Sequence, residues 1–125
     1  MKNVFLIAAI IALTLFSSLA HCNIFTEISL QQKVQRSTIV VIGKVKSVSV
    51  SDEHCIANNR CAEVRVSQVL KGKVSGKVLV LFAGEDSEAN PLCCEVGASY
   101  LFFITRVSGN YYATVNGPYG IYKVP

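Results

Sequence analysis

The chain has 125 residues, of which 51% are hydrophobic and 16% are charged, and its formal net charge is +4 at pH 7. This length suits one small domain with a modest core. The mild positive excess lacks the strong basic stripe and interleaved exposed aromatics of nucleic-acid-binding domains, so the composition argues against a nucleic-acid partner.

The first 22 residues have the plan of a secretory signal peptide. Lys2 gives the N-terminal region a positive charge. Residues 4–16 form an apolar core that is shorter than a typical transmembrane helix. Small residues then follow, as they do before a cleavage site. We therefore expect export, without stable insertion in a membrane after cleavage.

The cleavage site is expected after Ala20 or after Cys22, and we take residues 23–125 as one mature domain. The exported protein is expected to be secreted or periplasmic. An uncleaved anchor and a lipoprotein are the minor alternatives. The lipoprotein is disfavoured because His21 interrupts the box that would precede a lipidated cysteine.

A short helix is predicted near the start of the mature chain. Ser29 and Gln32 fit a capping box, and the helix is expected to end near Arg36. Its apolar side is expected to consist of Ile28, Leu30 and Val34.

A long, bent first strand is predicted over residues 39–50, which are rich in β-branched side chains. Val41, Gly43 and Val45 share one face, but the alternation slips by one residue after Lys46. A slip of this kind indicates a β-bulge, and a glycine permits a sharp local bend.

The rest of the chain also reads as strand, with turns and polar loops between the apolar runs. The expected strands are residues 62–67, 78–82, 100–105, 111–115 and, at an edge, 119–124. Five or six antiparallel strands with a bent first strand predict a mainly all-β fold, namely a small barrel that closes fully or partly. Closure would remove the exposed edges of such valine-rich strands.

The cysteines predict a disulfide framework, which is usual in exported chains. A cut after Cys22 leaves an even set of Cys55, Cys61, Cys93 and Cys94. A bond between the two neighbours would need a strained eight-membered ring, so Cys55 and Cys61 are each expected to bridge to one of the adjacent pair. In the alternative, Cys22 bridges to Cys93 or Cys94, Cys55 bridges to Cys61, and one thiol stays free.

No catalytic constellation is recognised, so the protein is predicted not to be an enzyme, and no cofactor is expected. His54 stands beside Cys55, and together with Cys61 and the adjacent pair Cys93 and Cys94 they are candidates for a metal or redox site. Export favours disulfides over thiolate ligands, which makes the metal site the alternative.

The turn at residues 116–118 offers the candidate partner-binding patch. Tyr112 and Tyr119 flank this turn, and Asn116 begins it. Exposed aromatic side chains beside a polar turn are typical of contact surfaces.

Three segments together resemble the netrin-like domain, the OB-type barrel of the tissue inhibitors of metalloproteinases. They are STIVVIGKVKSV at residues 37–48, AEVRVSQVLKG at 62–72, and VGASYLFFITRVSGNYYATV at 96–115, which follows a cysteine. The resemblance covers about residues 29–116. It implies an OB-type barrel and an exported, non-catalytic interaction module that binds a protein, with a metalloprotease as one such partner.

The zinc-chelating device of those inhibitors is not reproduced in the sequence. In the family, the mature chain begins with the first cysteine of a Cys-x-Cys motif, and its free amine and carbonyl bind the zinc of the protease. Here Cys22 is followed by Asn23 and Ile24, without a second cysteine. Genuine metalloprotease inhibition would therefore require Cys22 itself as the mature N-terminus.

Overall fold

The computed structural model describes residues 26–50, 55, 60–83 and 93–125. The predicted signal peptide, Cys22 and His54 lie outside these residues. The described elements are helix α1 (Leu30–Arg36), strands β1 (Ile39–Val50), β2 (Arg60–Lys71), β3 (Lys77–Ala83), β4 (Ser99–Ser108) and β5 (Tyr111–Thr114), a 3-10 helix (Gly117–Gly120) and strand β6 (Ile121–Val124).

The strands form a small closed barrel, which confirms the predicted fold class. The order is β1-β2-β3-β5-β4, and β1 also pairs with β4, so that five strands close the barrel and β6 adds to the far side of β4. The expectation that all pairs are antiparallel is wrong, because β3 and β5 run parallel. A closed ring of five strands cannot alternate in direction throughout, so one parallel pair is required.

The bend in β1 lies where the sequence predicts it. Residues 39–44 pair with β4, and residues 40–50 pair with β2. Between Val45 and Ser47 the register shifts, which leaves Lys46 without a partner on β2 and confirms the bulge. At Gly43 a Cβ atom would lie 2.9 Å from the carbonyl oxygen of Arg65, so the absence of a side chain allows the two strands to approach.

The core fills the barrel with the inward-facing side chains of its strands. Its largest fully buried members include Tyr112, Phe102, Ile104, Val41 and Val45. A second, smaller cluster of Val40, Phe103 and Val115 lies on the outer side of β1 and β4, where Ile28 and Leu101 pack against it. This outer cluster attaches the N-terminal segment to the barrel.

Helix α1 begins and ends as predicted, but it buries a different face. The Oγ atom of Ser29 accepts a hydrogen bond from the backbone N–H of Gln32, and the Gln32 side chain accepts one from the backbone of Ser29, which completes the capping box. Leu30 is 66% exposed and Val34 is 37% exposed, whereas Lys33 is only 3% exposed. The predicted apolar side is therefore wrong for Leu30 and Val34. The buried side of the helix instead carries Lys33, whose ammonium group lies over the rings of Tyr119 and Tyr122.

The four described cysteines all lie in disulfides. The first predicted pairing is wrong, whereas the Cys55–Cys61 bond of the alternative pairing is confirmed. Cys55 bonds to Cys61, with their Cα atoms 5.7 Å apart. Cys61 lies opposite Ser49 in the β1–β2 pairing, and Cys55 is only six positions before it in the chain, so the two cysteines of this bond are near neighbours in sequence. Cys93 and Cys94 pair with each other across a cis peptide bond, contrary to the exclusion of that pairing above.

Among the described residues, no helix is both long and apolar enough to cross a membrane.

Candidate functional site at the N-terminal clasp

The three residues of the predicted partner-binding patch have different environments. Tyr112 is 0% exposed, and its hydroxyl accepts a hydrogen bond of 3.1 Å from the guanidinium of Arg106. The prediction that Tyr112 belongs to the patch is therefore wrong. Side chains alternate along β5, and that of Tyr112 points inward, so its ring lies in the core. Asn116 and Tyr119 are half-buried and lie together beside the N-terminal segment.

Asn116 holds the backbone of the N-terminal segment with its side-chain amide. Its Oδ1 atom accepts a hydrogen bond of 2.9 Å from the N–H of Ile28, and its Nδ2 atom donates one of 3.0 Å to the carbonyl of Thr26. Asn116 has a left-handed backbone, with φ of 64°, which asparagine adopts more readily than most residues. A side chain that both donates and accepts can thus hold two backbone groups of the N-terminal segment at once.

A buried lysine provides the second attachment of this segment. The ammonium of Lys33 lies 2.5 Å from a carboxylate oxygen of Glu27 and also donates to the hydroxyl of Tyr122. That hydroxyl in turn donates a hydrogen bond of 2.6 Å to Glu27. The ammonium also lies 4.8 Å from the centre of the Tyr122 ring and 5.9 Å from that of Tyr119, within the range of cation–π attraction.

These contacts define what we call the N-terminal clasp: residues 26–29 with Lys33, Asn116, Tyr119 and Tyr122. Two of its hydrogen-bonded members, Glu27 and Tyr122, are 95 positions apart in sequence. Sequence reasoning missed Lys33, Glu27 and Tyr122, because a lysine on a short helix reads as a solvated side chain.

The electrostatics of the clasp favour a stable ion pair. Burial on its own lowers the pKa of Lys33, but the hydrogen bonds to Glu27 and Tyr122 outweigh it, and the pKa lies above its ordinary value. The hydrogen bond from Lys33, followed by that from Tyr122, lowers the pKa of Glu27. Burial, followed by the bond to Glu27, raises the pKa of Tyr122. Near neutral pH the network is thus an ammonium, a carboxylate and a neutral phenol.

Two elements beside the clasp, α1 and the end of β2, carry exposed apolar side chains. The ammonium of Lys71 donates to the carbonyls of Val34 at 2.6 Å and Ser37 at 2.7 Å, so the end of β2 meets the last turn of the helix. We call the exposed apolar side chains on these two elements the apolar rim: Leu30, Val34, Val69 and Leu70. A shallow depression of about 450 Å³ beside it is lined by Val69 and by the turn at residues 72–75.

The candidate metal ligands are not brought together as thiolates. The sulfurs of Cys55 and Cys61 are bonded to each other, while His54 and Cys22 lie outside the described residues. Within residues 26–50, 55, 60–83 and 93–125, no group of three histidine, cysteine, aspartate or glutamate side chains could hold a metal ion.

The sequence matches no protein-family model and none of the curated proteins with which it was compared.

Proposed function

We propose that this protein is an exported, non-catalytic interaction module of the netrin-like class, which binds a protein partner through its N-terminal segment and the adjoining surface. The observation that carries the proposal is the N-terminal clasp. Asn116 accepts one hydrogen bond from this segment and donates another to it, and the Lys33–Glu27 pair also holds it, although residues 26–28 add no strand to the barrel.

The expected cleavage site would place the mature N-terminus next to the clasp. A cut after Cys22 makes Asn23 the first residue, only three positions before Thr26. Three extended residues span at most about 10 Å, so the new terminus stays close to the barrel wherever residues 23–25 run. A terminus tethered in this way loses less conformational entropy when it binds, which favours a contact role.

A metalloprotease is the class of partner that the family resemblance implies, and it is the first to test. Zinc chelation of the inhibitor type requires cleavage immediately before Cys22, which would leave the free amine of that residue four positions ahead of the clasp. The competing metal or redox function requires free thiolates at Cys55 and Cys61, and the bond between them weighs against it.

The proposal is tested in two steps on the secreted protein. N-terminal sequencing with intact mass determines the first residue and the number of disulfides. Immobilised protein is then used to capture partners from its native compartment and to inhibit a panel of purified metalloproteases. We expect saturable binding without turnover of a substrate.

The decisive variant is Asn116→Gly, with Asn110→Gly as its matched control. Glycine removes both amide bonds of Asn116 and still adopts φ of 64° without strain. Asn110 also holds a backbone carbonyl through its amide, that of Lys77 at 3.1 Å, but it lies in the β4–β5 turn. Binding should weaken in the first variant and persist in the second. Equal binding by both variants would refute a role for the clasp.

A further inference from the structure

Three cations stand side by side across the outer face of the barrel. Lys44 on β1 is directly opposite Arg65 on β2, and Arg65 is directly opposite Lys77 on β3. All three side chains are exposed, whereas the alternating neighbours Val64 and Val78 are buried in the core. We call Lys44, Arg65 and Lys77 the basic row.

This arrangement opposes the stability of the sheet. Directly opposite side chains have Cβ atoms about 4.5–5.5 Å apart, and like charges at that distance are destabilising. Glu63 bonds to Lys77 at 3.3 Å, while Glu27 and Glu95 are paired with other lysines. Among the residues that the structure describes, no carboxylate therefore lies within salt-bridge distance of the other two members of the row.

The basic row is short, which limits the anion that it can hold. Strands are about 4.8 Å apart, so three neighbouring side chains span about 10 Å. Beyond Lys44 the next cross-strand neighbour is Ser99 on β4, and beyond Lys77 the chain offers Asn110, which donates to the Lys77 carbonyl. Both ends of the row are thus uncharged.

The surroundings of the row resemble a protein-contact surface more than a polyanion groove. Glu63 lies two positions from Arg65 along β2 and on the same face, where it would repel a long anionic chain running along the strands. Opposite Glu63 is Leu79, which in turn is opposite Tyr111, and both side chains are half-exposed. A mixture of cations, one carboxylate and apolar side chains is typical of protein interfaces.

We propose that the basic row binds a cluster of two or three carboxylates on the surface of the protein partner. The planar guanidinium of Arg65 is at the centre and can take one carboxylate through two parallel N–H···O bonds. Lys44 and Lys77 flank it as point charges. The inference rests on the proposed function, since it names the charge of the surface that the interaction module contacts.

The test uses two synthetic peptides, one with three consecutive glutamates and one with nine, titrated into the mature secreted protein by NMR and calorimetry. We expect saturable shifts centred on the basic row, and binding of the short peptide at least about tenfold weaker in the Lys44→Gln/Arg65→Gln/Lys77→Gln variant. The Arg36→Gln variant removes one exposed cation elsewhere and should bind as the native protein does. The variant with three substitutions should unfold at the same denaturant concentration as the native protein, or a higher one.

Three results would overturn the inference. The first is an absence of saturable binding. The second is an equal loss of affinity in the Arg36→Gln variant. The third is binding of the long peptide more than about tenfold tighter than that of the short one. Alternative binding registers on a longer peptide raise the affinity only a few-fold. A larger gain in affinity would indicate a site for extended polyanions such as polysaccharides or nucleic acids.

The outcome is separable from that of the proposed function. The peptides do not require the N-terminal segment, so the Asn116→Gly variant should bind them normally. If the peptides bind at the basic row but no partner is captured, the inference about the row is supported and the proposed interaction module is refuted. A captured partner that binds the row variant as tightly as the native protein would refute the row alone.

Discussion

Replacing Asn116 by glycine should release the N-terminal segment while leaving the barrel folded. The change removes the hydrogen bonds to Thr26 and Ile28, one exposed and one partly buried. A net hydrogen bond contributes about 0.5–1.5 kcal/mol, and partial exposure favours the lower half of that range, so the loss should be about 1–2 kcal/mol. Greater ease at positive φ and greater unfolded-state entropy act in opposite directions in glycine and roughly offset.

Thermal and urea denaturation measure this loss directly. For a domain of this size, about 1–2 kcal/mol corresponds to a fall in Tm of about 4–16 °C. Hydrogen exchange provides the local readout, because the amide of Ile28 donates to Asn116 and should exchange much faster in the variant. Amides in the centre of β4 should be little affected.

An amide of Ile28 that keeps its protection in the Asn116→Gly variant would contradict this prediction. An equal fall in Tm in Asn110→Gly would contradict it too, since that substitution removes only one bond in an exposed turn. Either result would mean that the clasp does not hold the segment.

Three further perturbations test separate parts of the structure. Lys33→Met should lower stability near neutral pH, and the difference in stability from the native protein should shrink in acid. The pKa of Glu27 is lowered in the folded protein, so the stability contributed by Glu27 is present above the unfolded carboxyl pKa and is lost as pH falls through the folded value. Denaturation measured between pH 2 and 6 would reveal this loss. Because the pKa of Lys33 is raised, its own contribution to stability is present below the unfolded lysine pKa and is lost only as pH rises through the folded value. Lys33 therefore stays charged in acid, and a stability difference between Lys33→Met and the native protein that does not change as pH falls would contradict the ion pair. Replacing Cys55 and Cys61 together by serine should cost about 2 kcal/mol or more in urea titrations, as expected for a short closed loop whose two cysteines are both buried, and an unchanged midpoint would contradict the bond. Gly43→Ala should cost about 1–3 kcal/mol by forcing β1 from β2, and native stability would refute the close approach.

Much of the barrel could be predicted because local patterns determine it. The alternation along β1 predicts both its inward face and the slip at Lys46, and the pairing with β2 shows a bulge there. The capping box at Ser29 predicts the start of α1. Such features depend on neighbours a few positions apart, which a single sequence displays.

The remaining features depend on contacts between distant parts of the chain. The parallel β3–β5 pair follows from ring closure. The burial of Lys33 depends on Tyr122, which lies 89 positions away. Periodicity within a helix of seven residues cannot reveal a partner at that distance.

Quantitative capture of partners from the native compartment, compared between the native protein, Asn116→Gly and Asn110→Gly, tests the proposed interaction module most directly. A module that works through a clasped N-terminal segment should retain the same partner on the native and Asn110→Gly proteins and lose most of it on Asn116→Gly. Retention in equal amounts on all three proteins, or on none of them, would contradict it.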